Sequence, residues 1–336
     1  MPRAARSLLA AVTACCAVGA LVACGATEDL AKKTFPRTTV PAARHDPASP
    51  ATSRSTAPSG EPADPAFTPD KLRLVDPCQL LDTSVLAELG TPAKADPEGF
   101  SECNNFMQDK QGKDLSISVS VGDTFTTEVA QATTKIGGLW AAESELEDSG
   151  ACFVNLILQD NPGLGITIQT GYDHGDPCEP ARTVAESVAD RMTRGAPTRT
   201  PQPGSLITVD PCTVVGAGPI SEVVGDKRDL FAYGLYHCSW DGSNGVELSL
   251  DLREAYDPKD DGVASVDLGG GHTAYQRADN NSYPSCELSW VHRPINGDGL
   301  GEVVEVQVDN IDNIQLDVCA KAQGFARALL PALPTA

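Results

Sequence analysis

The sequence predicts an α+β fold built twice: two tandem copies of an antiparallel sheet flanked by an N-terminal and a C-terminal helix, each copy with two disulfides. Three observations predict it. The first is cysteine spacing: Cys78, Cys103, Cys152 and Cys178 are separated by 25, 49 and 26 residues, and Cys212, Cys238, Cys286 and Cys319 by 26, 48 and 33. Self-similarity over so long a period marks a duplicated domain, not a solenoid of short repeats. The second is that the neighbours of these cysteines return too. Val75-Asp76-Pro77-Cys78 becomes Val209-Asp210-Pro211-Cys212, and Ile136-Gly137-Gly138 becomes Leu268-Gly269-Gly270. The third is strict alternation in Leu115-Ser116-Ile117-Ser118-Val119-Ser120-Val121 and in Val246–Leu252, the period of a half-buried strand.

In chain order, the first element is a leader. Arg3 and Arg6 precede an uncharged apolar stretch from Ser7 to Val22, the pattern of a secretion signal. An uncleaved membrane helix over Ser7–Cys24 is the competing reading, since 18 residues nearly suffice to span. The stretch ends in Leu21-Val22-Ala23-Cys24-Gly25, which resembles the lipobox of bacterial lipoproteins. That resemblance implies diacylglyceryl attachment to the Cys24 thiol and cleavage before it, leaving residues 1–23 as signal peptide. Val12-Thr13-Ala14-Cys15 is a second, partial match with a shorter apolar run. Residues 24–70 are dominated by Pro, Ala, Ser and Thr and carry only Phe35 and Phe67 as aromatics, so they read as a disordered tether. His45 lies in it without an evident role.

The first copy is assigned to 71–194 and the second to 205–333, with 195–204, rich in Pro, Thr and Gly, as linker. Asp76 reads as N-cap and Pro77 as first helical residue, with Leu81, Val85 and Leu89 at helical spacing and Gly90 as a stop. In the second copy Gly216 and Gly218-Pro219 split the equivalent helix into two short turns. A hairpin runs from Cys152–Leu158 through Asn161-Pro162-Gly163 into Ile166–Thr170; its counterpart is Cys286–His292 with Val303–Val308. Closing helices begin at Asp176-Pro177-Cys178 and Asp317-Val318-Cys319, each with an apolar face. Because the hairpin returns the chain beside the start of its first strand, Cys152 meets Cys178 and Cys286 meets Cys319. That leaves Cys78 with Cys103 and Cys212 with Cys238.

The tandem Asp-Pro-Cys openings, the four cysteines per copy and the lipobox resemble actinobacterial cell-envelope lipoproteins grouped as a domain of unknown function. A looser likeness is to the two-disulfide extracellular sensor domain of some mycobacterial serine/threonine kinases. The first resemblance implies an envelope location on the outer face of the cytoplasmic membrane and brings no catalytic residues.

With 25 basic against 46 acidic residues and a net charge of −21, the chain repels phosphate backbones, so no nucleic-acid partner is expected. It contains no Cys-x-x-Cys, no Gly-x-Ser-x-Gly and no Ser-x-x-Lys, and the eight repeat cysteines are read as disulfides, not metal or redox ligands. His174, His237, His272 and His292 lack equivalents in the other copy. Oxygen-rich runs at Asp257–Gly262 and Asp309–Asp317 lack EF-hand spacing, so no metal is expected. Trp140, Trp240 and Trp290 are either core anchors or the lining of a groove between sheet and helix. The expected function is that of a non-catalytic module, held on the membrane by lipid on Cys24, that binds an envelope protein or a small molecule without a cofactor. The alternative is an envelope hydrolase or metal-dependent enzyme whose site no motif reveals.

Overall fold

A computed structural model of the chain describes residues 64–146, 149–261, 263–296 and 299–336. The leader, the Cys24 lipobox and the tether up to residue 63 lie outside the described residues. The folded part begins earlier than the sequence implies: Asp64 caps a single 3-10 turn, Phe67 is 2% exposed, and α1 (Pro69–Leu72) follows. One aromatic in an otherwise core-poor segment was enough to dock its last residues.

The first copy continues with α2 (Pro77–Leu80), α3 (Thr83–Leu89), β1 (Gly90–Thr91), β2 (Asp96–Glu98), β3 (Glu102–Asp109) and β4 (Asp114–Phe125). Then come α4 (Thr127–Gln131), β5 (Thr134–Ile136), β6 (Leu139–Leu146), β7 (Ala151–Asp160), β8 (Gly163–Gly171) and α5 (Cys178–Gly195). The second copy has α6 (Ala217–Val224), β9 (Arg228–Ala232), β10 (His237–Gly242), β11 (Val246–Tyr256) and β12 (Ala264–Gly269). It closes with β13 (His272–Asp279), β14 (Ser285–Pro294), β15 (Leu300–Asn310) and α7 (Val318–Leu329).

Both sheets are antiparallel and share one topology. The first runs β1-β3-β4-β8-β7-β6-β5, with β2 also paired to β3; the second runs β12-β13-β14-β15-β11-β10-β9. Strand for strand, β3 corresponds to β10, β4 to β11, β8 to β15 and β7 to β14. The opening and closing helices form a layer over one face of each sheet, and α4 lies on the other face of the first. Leu115, Ile117, Val119 and Val121 of β4 point into that layer, as do Leu248, Leu250 and Leu252 of β11, all at most 3% exposed. From α5, Ala181, Val184, Ala185 and Val188 meet it, and from α7, Ala322, Phe325, Ala326 and Leu329.

The opening helix departs from the sequence reading in the first copy. Leu81 leaves the helical region (ψ 86°), and Asp82 starts a new helix by accepting from Ser84 N–H. The spacing of Leu81, Val85 and Leu89 favours one continuous helix, but a second Asp at a capping position competes locally and wins. In the second copy the chain does break at Gly216, but Gly218 and Pro219 lie inside the first turn of α6 and do not split it, so an interrupted opening is the rule for both copies.

The four disulfides are Cys78–Cys103, Cys152–Cys178, Cys212–Cys238 and Cys286–Cys319, with Cα–Cα distances of 5.0, 5.1, 5.2 and 5.1 Å. In each copy one bond ties the opening segment to the second-row strand (β3 or β10) and the other ties the return hairpin to the closing helix. Loops of 25 to 33 residues closed this way stabilise by about 3.5 kcal/mol each in the chain-entropy picture.

Residues 195–204 do not hang free between the copies. Thr198 bridges to Val75, Asp76 N–H donates to Pro197 O, and Arg199 N–H to Leu74 O. Across the junction, Arg73 (3% exposed) donates from Nε and Nη2 to Leu235 O and pairs with Asp210, the capping residue of the second copy's opening. The Phe100 and Tyr236 rings lie 4.8 Å apart, and Tyr236 OH donates to Ile207 O. Buried apolar residues of both copies accordingly form one cluster.

A candidate ligand groove opposite the closing helix

Alternation that sends leucine and valine toward the helices sends small polar residues to the other face. On β4 these are Ser116, Ser118 and Ser120. Register extends them into rows across the sheet: Ser118 faces Gln169, which faces Phe153, which faces Ser144. One row along, Glu102 faces Ser120, then Thr167, then Asn155. Serines and threonines take little room on a sheet surface, and α4, whose Val129 packs with Phe125, Ala132, Ala142 and Ile157, walls one end. The result is a groove of ≈ 600 Å3. The β9–β10 loop of the second copy, Tyr233-Gly234, completes it, held by Thr124 Oγ1, which donates to Ala232 O and accepts from Gly234 N–H.

Among the described residues, three carboxylates line this groove, Glu102, Asp123 and Glu128, and no lysine or arginine does. Ser120 Oγ donates to Asp123 Oδ1 (2.7 Å). Burial, with the charges of Glu98 and Asp123 beside it, pushes the Glu102 carboxyl above the ordinary glutamate range. Glu128 is held below that range by backbone N–H groups, its own and that of Thr126. The groove therefore offers hydroxyls and amides that both donate and accept, and a negative potential.

The helix-free face of the second sheet differs in charge. There Arg253 pairs with Glu305, Arg277 with Glu287 (3.5 Å), and His237 Nδ1 lies 3.5 Å from Asp251. Its depression of ≈ 490 Å3 carries both arginines among its walls, so the carboxylates there already have partners. A smaller one of ≈ 240 Å3 at the junction is lined by residues of both copies.

The residues singled out from sequence are distributed as follows. Trp240 (2% exposed) packs against Phe325 at 6.2 Å between ring centroids, and Trp290 (1% exposed) is buried under the helix layer of the second sheet. Neither lines a groove, because each occupies an inward position of its strand. Trp140 is 40% exposed near one edge of the first sheet with Lys135 Nζ 4.7 Å from its ring, on the same sheet face as the groove but outside its lining. The three tryptophans do not converge. His272 and His292 sit on neighbouring strands, His237 three strands from β14; His292 Nε2 bonds Gly204 O (3.0 Å), and burial holds its pKa below the ordinary histidine value. His174 lies edge-on to Tyr172. Asp257 is occupied by Lys259, and Asp317 caps α7 through Ala320 N–H. Glu143 with Cys152 and Cys178 brings three potential ligand atoms together, but both sulfurs are bonded to each other and Glu143 takes Arg182. Glu102, Asp123 and Tyr233 were not singled out from sequence. The signal that points to their neighbourhood is the run of outward serines in β4, where solvent-facing strand positions ordinarily carry longer polar side chains.

Among the described residues, no helix is long and apolar enough to cross a membrane. A family profile described as "Protein of unknown function (DUF3558)" matches residues 19–191. No curated protein matches. Among solved structures, a match is to one titled "Crystal structure of the di-domain ARO/CYC BexL from the BE-7585A biosynthetic pathway". It is 10% identical over 78% of this chain and 90% of that one, at a TM-score of 0.14, too low to carry an argument.

Proposed function

The chain belongs to the DUF3558 family of proteins of unknown function, and from that premise we propose that it is a lipid-anchored envelope protein whose first copy binds a small polar ligand. Four disulfides suggest an extracellular or envelope location. The lipobox at Cys24 supports anchoring on the outer face of the cytoplasmic membrane, since two acyl chains hold a protein there durably. The observation that carries the binding reading is the ≈ 600 Å3 groove, walled by both copies and floored by small hydroxyl and amide side chains. A concave surface with a few convergent polar groups is the default binding-site candidate.

Two experiments test it. Cys24→Ser should move the protein from the membrane fraction to the medium; full membrane retention with an intact leader refutes the lipid anchor and favours a helical one. The whole chain, purified from envelope extract and examined by native mass spectrometry, should carry a small molecule that Ser118→Trp, which fills the groove floor, does not. The same adduct on both proteins, or none on either, refutes the groove as the binding site.

A further inference from the structure

We propose that the groove of the first copy binds an amine-bearing saccharide, its ammonium group seated between Glu102 and Asp123 beside Tyr233. The inference rests on the binding reading above and names its ligand class.

The floor is formed by β4, β8 and β7, interior strands whose backbone groups are used within the sheet. A peptide recognised by main-chain pairing needs a free sheet edge and finds none on this floor. What Ser118, Thr167 and Gln169 offer instead is a lattice of side-chain groups that donate and accept alike, the complement of a ring bearing hydroxyls. From Glu102 on β3 to Ser144 on β6 the groove crosses four strand spacings, about 19 Å, long enough for several sugar rings.

Charge then selects among saccharides. Glu102 and Asp123 lie near each other, joined through Ser120, where Tyr233 also lines the groove, and among the described residues neither forms a salt bridge to lysine or arginine. Phosphorylated or uronic sugars meet repulsion here, and neutral ones leave the carboxylates without a counter-charge. An ammonium satisfies both, and an aromatic face beside it adds attraction. The second sheet does not compete, because Arg253 and Arg277 already occupy its carboxylates.

Calorimetry on the whole oxidised chain with the β-1,4-linked glucosamine trimer, against its fully N-acetylated counterpart, separates the possibilities. The two differ in the charge and bulk of the nitrogen substituent and share their ring hydroxyls. The expected result is one site for the free amine, at least about tenfold weaker binding of the acetylated trimer, and a loss of about tenfold in Glu102→Gln and in Asp123→Asn. Affinity should also fall on acidification as Glu102 takes up its proton. Equal affinity for the two trimers, abolished by Ser118→Trp, overturns the amine claim and leaves the binding reading standing. No heat with either trimer overturns the saccharide inference while the mass-spectrometric result decides the binding reading separately. Undiminished binding in both carboxylate variants places the cation elsewhere and overturns the site.

Discussion

Removing the Arg73 guanidinium should loosen the two copies from each other, and the junction's geometry gives the size of the effect. Arg73 is 3% exposed and reaches Leu235 O from Nε at 3.3 Å and from Nη2 at 3.2 Å. Hydrogen bonds from a charged donor contribute about 1.5–3 kcal/mol, and the two share one carbonyl, so they count for less than twice that. The ion pairs with Asp70 (87% exposed) and Asp210 (34% exposed) are screened by water and add under about 1 kcal/mol each. Truncation also leaves Leu235 O buried without its donor. Arg73→Ala should therefore cost about 3–5 kcal/mol, a large share of the stability of a folded domain. Arg73→Met, which keeps most of the stem's packing, should recover only a small part. Urea unfolding of the whole oxidised chain measures this. A second expectation is qualitative: with the clamp gone, one cooperative transition should separate into two, because each copy keeps its own sheet, helices and disulfides. A change below about 1 kcal/mol with a single transition in both variants would refute the clamp and place the coupling in the Phe100–Tyr236 contact instead.

Gly122 sits at a bulge in β4 with φ +87°, and a Cβ there would stand 2.2 Å from Leu235 Cγ. Gly122→Ala should thus destabilise the junction by about 1–3 kcal/mol through strain and displacement of Leu235, read by the same urea titration; an unchanged midpoint would show that the loop yields freely. Stability should rise on mild acidification. Burial raises the pKa of Glu102, Glu247, Glu254, Glu305 and Asp309 above their ordinary values, so the folded state binds more protons than the unfolded one and loses stability as pH rises through that window. The melting temperature should accordingly climb from neutral pH toward the ordinary glutamate value of 4.5, helped by relief of the −21 net charge. Below that, Asp82 works in the opposite direction. Ser84 and Arg191 lower its pKa from 3.8 to about 2, so its contribution is present above 3.8 and lost as pH falls toward 2. A melting temperature that falls steadily from neutral pH downward would contradict this assignment.

Much of the architecture was readable because it is local and repeated. Cysteine spacing, Asp-Pro-Cys openings and alternation in β4 and β11 each act within a few residues, and the duplication lets one copy check the other. The readings that differ from the structure failed where two local preferences competed or where a distant partner decided. Asp82 as cap overrode the helical spacing of Leu81 and Val85. Phe67 lies in a stretch whose composition offers no core of its own, and it is buried as part of a cluster that draws on the whole folded chain. Trp240 and Trp290 carry the same side chain as Trp140, and only the parity of their strand positions against the helix layer places two inside and one out.

What the sequence determined by itself is therefore the two copies, their α+β class and the residues that point inward along each strand. Hydrophobic periodicity dictates these, and it needs no knowledge of a partner strand. Only the tertiary structure decided which outward residues share a surface. Glu102, Ser120, Thr167 and Asn155 are scattered over 66 positions of chain and become one row through strand register, while Tyr233 reaches the same groove from the other copy because Arg73 and Thr124 hold its loop there. Pairing of distant strands sets that juxtaposition, and its information lies in long-range packing that no window of sequence contains.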